Sequence, residues 1–258
     1  MIDPFTLIPI KLDVLKGERE IAKATGFIID LAEKHFLITN WHVVTGRNYI
    51  TKAPLGSLGG EDADPDRIRL WRLRATEESG GLTTYSWVNQ EELIKDNAQN
   101  KRWLEHPRIE DIDVVALPIE RLVEGFAPNN LDLGLANADL LVTPSESVSI
   151  IGFIYGRGVR ANFPIWKTGH VASDIELPYD NKPAFLIDAT TREGMSGSPV
   201  VAKRASGFYR RVNGNFIGGA TVTRFMGIYS GRIPEEPGQN SNLGIVWKPE
   251  IINQIIEH

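Results

Sequence analysis

The stretch Gly194-Met195-Ser196-Gly197-Ser198-Pro199, followed by the apolar run Val200-Val201-Ala202, decides how this chain is interpreted. A serine between two glycines, with a proline leading into a strand, predicts a sharp turn that holds the serine side chain out of the core. Glycine lets the backbone approach a bound molecule closely and adopt conformations that a β-carbon excludes. A nucleophilic serine needs such a turn, together with backbone N–H groups directed at the oxyanion that its attack creates. An ordinary Gly-Ser turn has the same sequence pattern as a catalytic one. A catalytic interpretation of Ser196 therefore needs a general base and an acid elsewhere in the chain.

Two upstream stretches supply a base and an acid. His42 lies in Asn40-Trp41-His42-Val43-Val44, where a strand is expected to end and a short turn to begin. Asp113 precedes a nearly continuous apolar run that predicts a strand buried on both faces. Asp111 is the competing acid, and Asp113 is preferred because it directly adjoins the run. The remaining histidines are interpreted as surface groups without metal-ligand spacing: His35, His106, His170 and His258.

Composition narrows the class of protein. The 258 residues are 42% hydrophobic and 24% charged, which is typical of a soluble globular protein. A net charge of −5 shows no basic excess, so nucleic acid is not an expected partner. No apolar run is long enough to span a membrane. The absence of cysteine, and a start (Met1-Ile2-Asp3-Pro4-Phe5-Thr6) without signal-peptide features, predict a bacterial cytoplasmic rather than an exported protein.

Short strand candidates separated by Gly-, Pro- and Asp-rich turns predict an all-β protein. The candidates are 7–15, 24–30, 36–39, 48–53, 68–75, 111–119, 147–153, 164–173, 184–189, 199–203, 218–230 and 243–247. An exposed loop is predicted over 54–65, and one or two helical turns over 91–100 within the otherwise unassigned segment 77–108. Pro249 is expected to open a short amphipathic helix over 250–258.

The order of His42, Asp113 and Ser196 along the chain resembles that of the trypsin-like serine peptidases. Among these enzymes, the chain is most similar to the bacterial Do-like branch. The resemblance rests on residues 37–44, 113–117 and 188–199, and on strands that match those framing the substrate cleft, at 150–153, 227–230 and 243–246. It extends from about residue 20 to residue 247. No PDZ module of the Do-like type is expected, since the chain ends soon after the second half.

The resemblance implies a chymotrypsin-like fold of two antiparallel six-stranded β-barrels with a short C-terminal helix. The N-terminal barrel (7–120) would carry His42 and Asp113, and the C-terminal barrel (146–247) would carry Ser196. Residues 121–145 would link the barrels, and 248–258 would form the helix.

The resemblance also implies a mechanism. Ser196 would attack the carbonyl of a protein or peptide substrate, His42 would transfer the proton, and Asp113 would orient the imidazole. The N–H groups of Gly194 and Ser196 would form the oxyanion hole. No metal or cofactor is implied, and a regulatory protein partner is considered. A different class of function, a catalytically silent or partner-activated peptide-binding or scaffold module on the same fold, stays open.

Departures from the family pattern concern activation and specificity. Met195 stands where digestive relatives carry an aspartate that pairs with a newly cut amino terminus, so activation by N-terminal cleavage is not expected. The primary pocket is expected to be lined by Thr190, Ser230 and Gly244, none of them charged, which favours a small to medium apolar substrate residue. The alternative is a polar set for a substrate carboxylate, formed by Thr190, Tyr229 and Arg232.

Overall fold

Most of the chain forms two β bodies. A computed structural model describes residues 2–55, 64–78, 81–108, 111–120, 122, 129–158, 163–205, 208–219, 221–233 and 242–258. Within these ranges, none of the helices has the length and apolar character needed to cross a membrane. Part of the predicted loop (56–63) and part of the predicted linker (121 and 123–128) lie outside the described residues. The predicted domain boundaries therefore stay predictions.

The first body is an antiparallel sheet. Its strands are β1 (Ile10–Lys16), β2 (Arg19–Leu31), β3 (Lys34–Thr39), β4 (Arg67–Glu78), β5 (Leu82–Leu93), β6 (Leu104–Glu105) and β7 (Val115–Ile119). They pair in the order β5-β4-β1-β2-β3-β7-β6. The described strands of this body thus number seven and pair as a sheet, where a six-stranded barrel is expected. The long β4–β5 hairpin, paired from Arg67↔Leu93 to Glu78↔Leu82, accounts for much of its width.

The second body is the expected six-stranded barrel. It contains β8 (Ser147–Gly152), β9 (Ile165–Val171), β10 (Ala184–Asp188), β11 (Pro199–Arg204), β14 (Val222–Arg232) and β15 (Leu243–Trp247). These strands close in the order β10-β15-β14-β11-β8-β9. A separate two-stranded ribbon pairs β12 (Tyr209–Arg210) with β13 (Phe216–Ile217). The all-β, chymotrypsin-like fold class predicted from the sequence is confirmed.

A shared apolar core joins the two bodies. Phe27 of β2 and Phe225 of β14 meet edge to face, with ring centroids 5.7 Å apart. Trp247 of β15 is fully buried in the same cluster, as is Ile252 of helix α2 (Glu250–Ile256). Burying an aliphatic or aromatic side chain of this size contributes about 1.5–3 kcal/mol. The predicted C-terminal helix is present, and its apolar face is part of this shared core.

Two local predictions are wrong. Residues 48–53 form a turn and not a strand, because the Asn48 side chain accepts the N–H groups of Ile50 and Thr51 at 2.9 and 3.0 Å. Asn side chains favour turns by this type of bond. Residues 91–100 are not helical: Glu91–Leu93 complete β5, and Asp96 Oδ1 then accepts two backbone N–H groups at 2.8 Å in a turn.

Candidate active site

A five-residue helix, α1 (Trp41–Thr45), carries His42 directly after β3. The sequence predicts a short turn here, and the structure has a short helix in its place. Gly46 ends the helix in the left-handed conformation, with φ of 67°, and its N–H donates to the His42 carbonyl at 2.9 Å. A glycine adopts this conformation without the penalty that a β-carbon brings. The helix thus starts and stops around the histidine.

The Asp113 carboxylate receives both donors of His42. The His42 backbone N–H donates to Asp113 Oδ1 at 2.9 Å, and the ring Nδ1 lies 2.7 Å from Asp113 Oδ2. The first N–H groups of a helix lack partners within the helix, so the carboxylate also satisfies an otherwise free donor. Because a carboxylate only accepts, the proton is assigned to Nδ1, which leaves Nε2 as the basic nitrogen. The acid against His42 is Asp113, whereas Asp111 lies in a turn.

Residues from both bodies complete the surroundings of Asp113, which is fully buried. The Ser230 hydroxyl of β14 donates to Asp113 Oδ2 at 2.6 Å. The Asn40 amide donates to the Asp113 backbone carbonyl at 2.6 Å and so fixes the chain that carries the acid. A buried charge needs such partners, since an unpaired one costs several kcal/mol. Ser230 is predicted as a wall of the primary pocket, but its hydroxyl donates to Asp113.

Ser196 of the second body faces His42 across the boundary between the bodies. Both side chains line two cavities. One, of about 100 Å³, has mostly apolar walls from the first body: Val14, Ile21, Ala22, Ala24, Val43 and Leu55. The other, of about 190 Å³, also contains Asp113, Ser230 and Arg232. Within the described residues the Ser196 hydroxyl makes no hydrogen bond to His42, an arrangement common in unliganded sites, where such bonds tighten on substrate binding.

The backbone around Ser196 requires its flanking glycines. Gly194 and Gly197 have φ values of 91° and 83°, which side chains rarely adopt. A β-carbon at Gly197 would lie 2.1 Å from the Thr25 carbonyl oxygen. The turn is therefore pressed against β2 of the first body, and only glycine fits there.

The carbonyl groups of Glu193 and Met195, on either side of the serine turn, have fixed partners. The Glu193 carbonyl accepts the Tyr155 N–H at 2.7 Å, and the Met195 carbonyl accepts the Ser198 N–H at 3.0 Å. A trans peptide places its C=O and N–H on opposite sides. The N–H groups of Gly194 and Ser196 therefore point away from these partners, and neither donates to an acceptor among the described residues.

Of the three predicted specificity residues, Ser230 lines the larger cavity, whereas Thr190 and Gly244 do not. Thr190 is exposed. A β-carbon at Gly244 would lie 2.7 Å from Tyr229 Cε2, so this glycine leaves room for the tyrosine ring. Tyr229 is buried, its hydroxyl bonds to Thr191, and burial raises its pKa. The tyrosine ring thus lies against Gly244, one of the predicted pocket residues.

Sequence reasoning missed Thr25, which bonds to the serine turn across the boundary between the bodies. The sequence predicts only a strand over 24–30 here, and the neighbouring Gly26 is the single signal of a close approach. No group of three or more His, Asp or Glu side chains is placed to hold a metal ion in the ranges that the structure describes.

Comparisons with known proteins agree with the fold. A family model for the trypsin-like peptidase domain matches residues 24–207. The protease Anisep from Arthrobacter nicotinovorans is a similar solved structure, with 13% identity, a TM-score of 0.53, and coverage of 96% of this chain and 93% of that one. The serine endoprotease from Yersinia pestis has 14% identity, a TM-score of 0.48, and coverage of 98% and 62%. No curated protein sequence matches the chain.

Tyr49, which lines the larger cavity, provides a pH test of the site. Burial, and then the negative charge of Asp113, raise the pKa of Tyr49 from its usual 10 to about 12. Between these values the unfolded chain loses the proton while the native chain keeps it, so the free energy of unfolding should fall as the pH rises from 10 to 12. Tyr49→Phe should reduce this loss, as measured by urea denaturation.

The exposed Tyr155 is the matched control, and Tyr155→Phe should leave the pH dependence unchanged. Equal effects of the two substitutions would contradict the raised pKa of Tyr49.

Proposed function

The chain belongs to the trypsin-like peptidase family, and on that premise we propose that it is a serine endopeptidase whose triad is His42, Asp113 and Ser196. One observation carries the proposal: the buried Asp113 carboxylate accepts both N–H donors of His42, while Ser196 lines the same two cavities as the imidazole. The unprotonated Nε2 is thereby directed at the cleft rather than at the acid. A histidine in a merely structural role needs no such arrangement.

The proposed reaction passes through an acyl-enzyme. His42 Nε2 removes the proton of the Ser196 hydroxyl as Oγ attacks the substrate carbonyl, and the imidazolium then donates that proton to the leaving amine. Water repeats the sequence and releases the acyl group. Asp113 stabilises the imidazolium through the 2.7 Å contact and keeps its proton on Nδ1. The Ser230 hydroxyl supports the acid by occupying the remaining side of Oδ2.

The N–H groups of Gly194 and Ser196 are proposed to bind the oxyanion. Support comes from the Glu193 and Met195 carbonyls, which are bonded on the opposite side of each peptide. One donor of this kind contributes about 3–4 kcal/mol to the transition state in related enzymes. Because both donors are held before substrate arrives, little reorganisation is needed at the moment of reaction.

The free edge of β14 is proposed to bind the substrate main chain. Its pairing with β11 ends at Pro199↔Ile228, followed by two further bonds, from the Tyr229 N–H to the Ser198 carbonyl and from the Gly197 N–H to the Tyr229 carbonyl. Beyond this point, and among the described residues, Gly231 and Arg232 pair with β15 alone. An extended peptide can add to such an edge as a further strand. The cleft thus suits an unfolded segment of protein rather than a compact surface.

The direct test replaces the nucleophile. Ser196→Ala should abolish labelling by a fluorophosphonate probe and lower peptide hydrolysis by about a millionfold, because the attacking atom is removed. Its thermal transition should stay close to that of the wild type, since the side chain faces the cavities. The measurements are gel fluorescence of the labelled protein and the rate of casein cleavage.

A wild-type chain that is neither labelled nor active would favour the catalytically silent module instead. Hydrolysis that survives in Ser196→Ala at the wild-type rate would rule out this serine as the nucleophile.

The two candidate acids provide a second test. Asp113→Asn should lower kcat by about ten-thousandfold, because the amide holds the imidazole in the wrong tautomer. Asp111→Asn is the matched control and should have little effect, since Asp111 lies in a turn two residues before the acid that contacts His42. The reverse ranking in a steady-state assay would show that the acid is wrongly assigned.

Substrate preference is proposed to be apolar. A substrate lysine or arginine would find no carboxylate at Thr190, Ser230 or Gly244, and burying an unpaired charge costs several kcal/mol. Profiling cleavage of a peptide library by mass spectrometry should show a small to medium apolar residue before the scissile bond. Gly244→Val should narrow that preference, because its β-carbon would push the Tyr229 ring into the cleft.

Arg232 is the group on which the alternative depends, since it lines the larger cavity beside Ser230. A profile dominated by glutamate, and lost in Arg232→Gln, would establish carboxylate recognition in place of apolar recognition. A profile dominated by lysine or arginine would contradict both.

A further inference from the structure

Thr25 of β2 makes four hydrogen bonds at the boundary between the bodies. Its hydroxyl donates to the Gly194 carbonyl at 2.8 Å and accepts the Phe153 N–H at 3.1 Å. Its backbone N–H donates to the Ser196 carbonyl at 2.9 Å, and its carbonyl accepts the Thr39 hydroxyl at 3.0 Å. The side chain is fully buried. A residue of the first body thus bonds to two separate segments of the second.

Those two segments also meet each other. The Phe153 N–H, held by Thr25, begins the turn that contains Tyr155. The Tyr155 N–H in turn donates to the Glu193 carbonyl at 2.7 Å. The Thr25 hydroxyl therefore holds Gly194 directly through its carbonyl, and holds the preceding peptide indirectly through the 153–155 turn. The direct contact fixes the Gly194–Met195 peptide, and the indirect contact fixes the Glu193–Gly194 peptide, which carries the proposed oxyanion donor.

This position requires a hydroxyl group. A hydroxyl donates and accepts at once, whereas a methyl group of similar size does neither. A β-carbon at Gly152 would lie 2.9 Å from Thr25 Oγ1 and 2.1 Å from Ser198 Oγ, so the surroundings are closely packed. Without the hydroxyl, the Gly194 carbonyl and the Phe153 N–H would lose their buried partner. Backbone groups in that state tend to reorient until they are satisfied.

We propose that Thr25 is a positioning residue whose hydroxyl orients the Glu193–Gly194 peptide, so that the first body controls the oxyanion hole of the second. Its catalytic consequence rests on the proposed peptidase function, but its effect on the loop does not. The first body then supplies more than the histidine and the acid: it also fixes the donor that stabilises the transition state.

The first experiment measures amide hydrogen exchange by mass spectrometry in residues 150–157 and 190–198. Thr25→Val should accelerate exchange in both segments, because the Phe153 N–H loses its acceptor and the turn is released. Thr25→Ser should restore protection, since it keeps the hydroxyl. Thr223→Val, at the opposite end of β14 from Ser230, is the matched buried control and should leave both segments protected.

Equal exchange in Thr25→Val and Thr223→Val would overturn the proposal. If Thr25→Val does not fold, Thr25→Ala removes the hydroxyl without placing a second methyl near the Gly194 carbonyl, and it is judged by the same comparison.

The second experiment separates positioning from stability. Thr25→Val should lower kcat by about a hundredfold, comparable to the loss of one oxyanion donor, and should leave KM within about twofold. Thr25→Ser should recover most of kcat. A purely structural role would lower the thermal transition of both variants without this division between kcat and KM, and a Thr25→Ser variant as inactive as Thr25→Val would contradict the role of the hydroxyl.

The two hypotheses fail separately. A wild-type protein that neither cleaves peptides nor reacts with a fluorophosphonate would refute the peptidase proposal. The exchange comparison would still decide whether Thr25 holds the loop, because it needs no turnover.

Discussion

The burial of one carboxylate constrains how the two bodies meet. Asp113 is shielded from water, and an isolated charge there would cost several kcal/mol. Its oxygens are instead bonded to two donors on His42 of the first body and to the Ser230 hydroxyl of the second. Displacing either body would leave the charge with fewer partners. The bodies are thus held in register by the same group that orients the imidazole.

Backbone hydrogen bonds to both bodies impose a second constraint, on the position of Ser196. Its carbonyl accepts the Thr25 N–H at 2.9 Å, and the Gly197 N–H donates to the Tyr229 carbonyl at 2.9 Å. Buried backbone groups are almost always paired, so each of these bonds restricts where the serine can lie. The serine therefore lies between a strand of each body, and its side chain is left as the group that faces the cavities.

The sequence is sufficient to predict the candidate site residues but not the residues that hold them in place. His42, Asp113 and Ser196 stand out because each adjoins a strand with a plain apolar or glycine pattern. Strand β5 was missed because its polar residues follow no apolar alternation, and its order comes from pairing with β4 along twelve positions. Thr25 gave no signal of its own, since its partners lie more than a hundred residues away in the chain.

Specificity shows most clearly why tertiary contacts are needed. Gly244 is indeed where a larger side chain would intrude, but the group that it would meet is the ring of Tyr229. The tyrosine hydroxyl bonds to Thr191 rather than to Thr190, the residue that is predicted to line the pocket. Thr191 is buried and Thr190 is exposed, so an error of one residue in this irregular segment selects the wrong side chain. Counting positions from Ser196 therefore predicts which residues line a pocket, whereas side-chain packing decides which of them are buried.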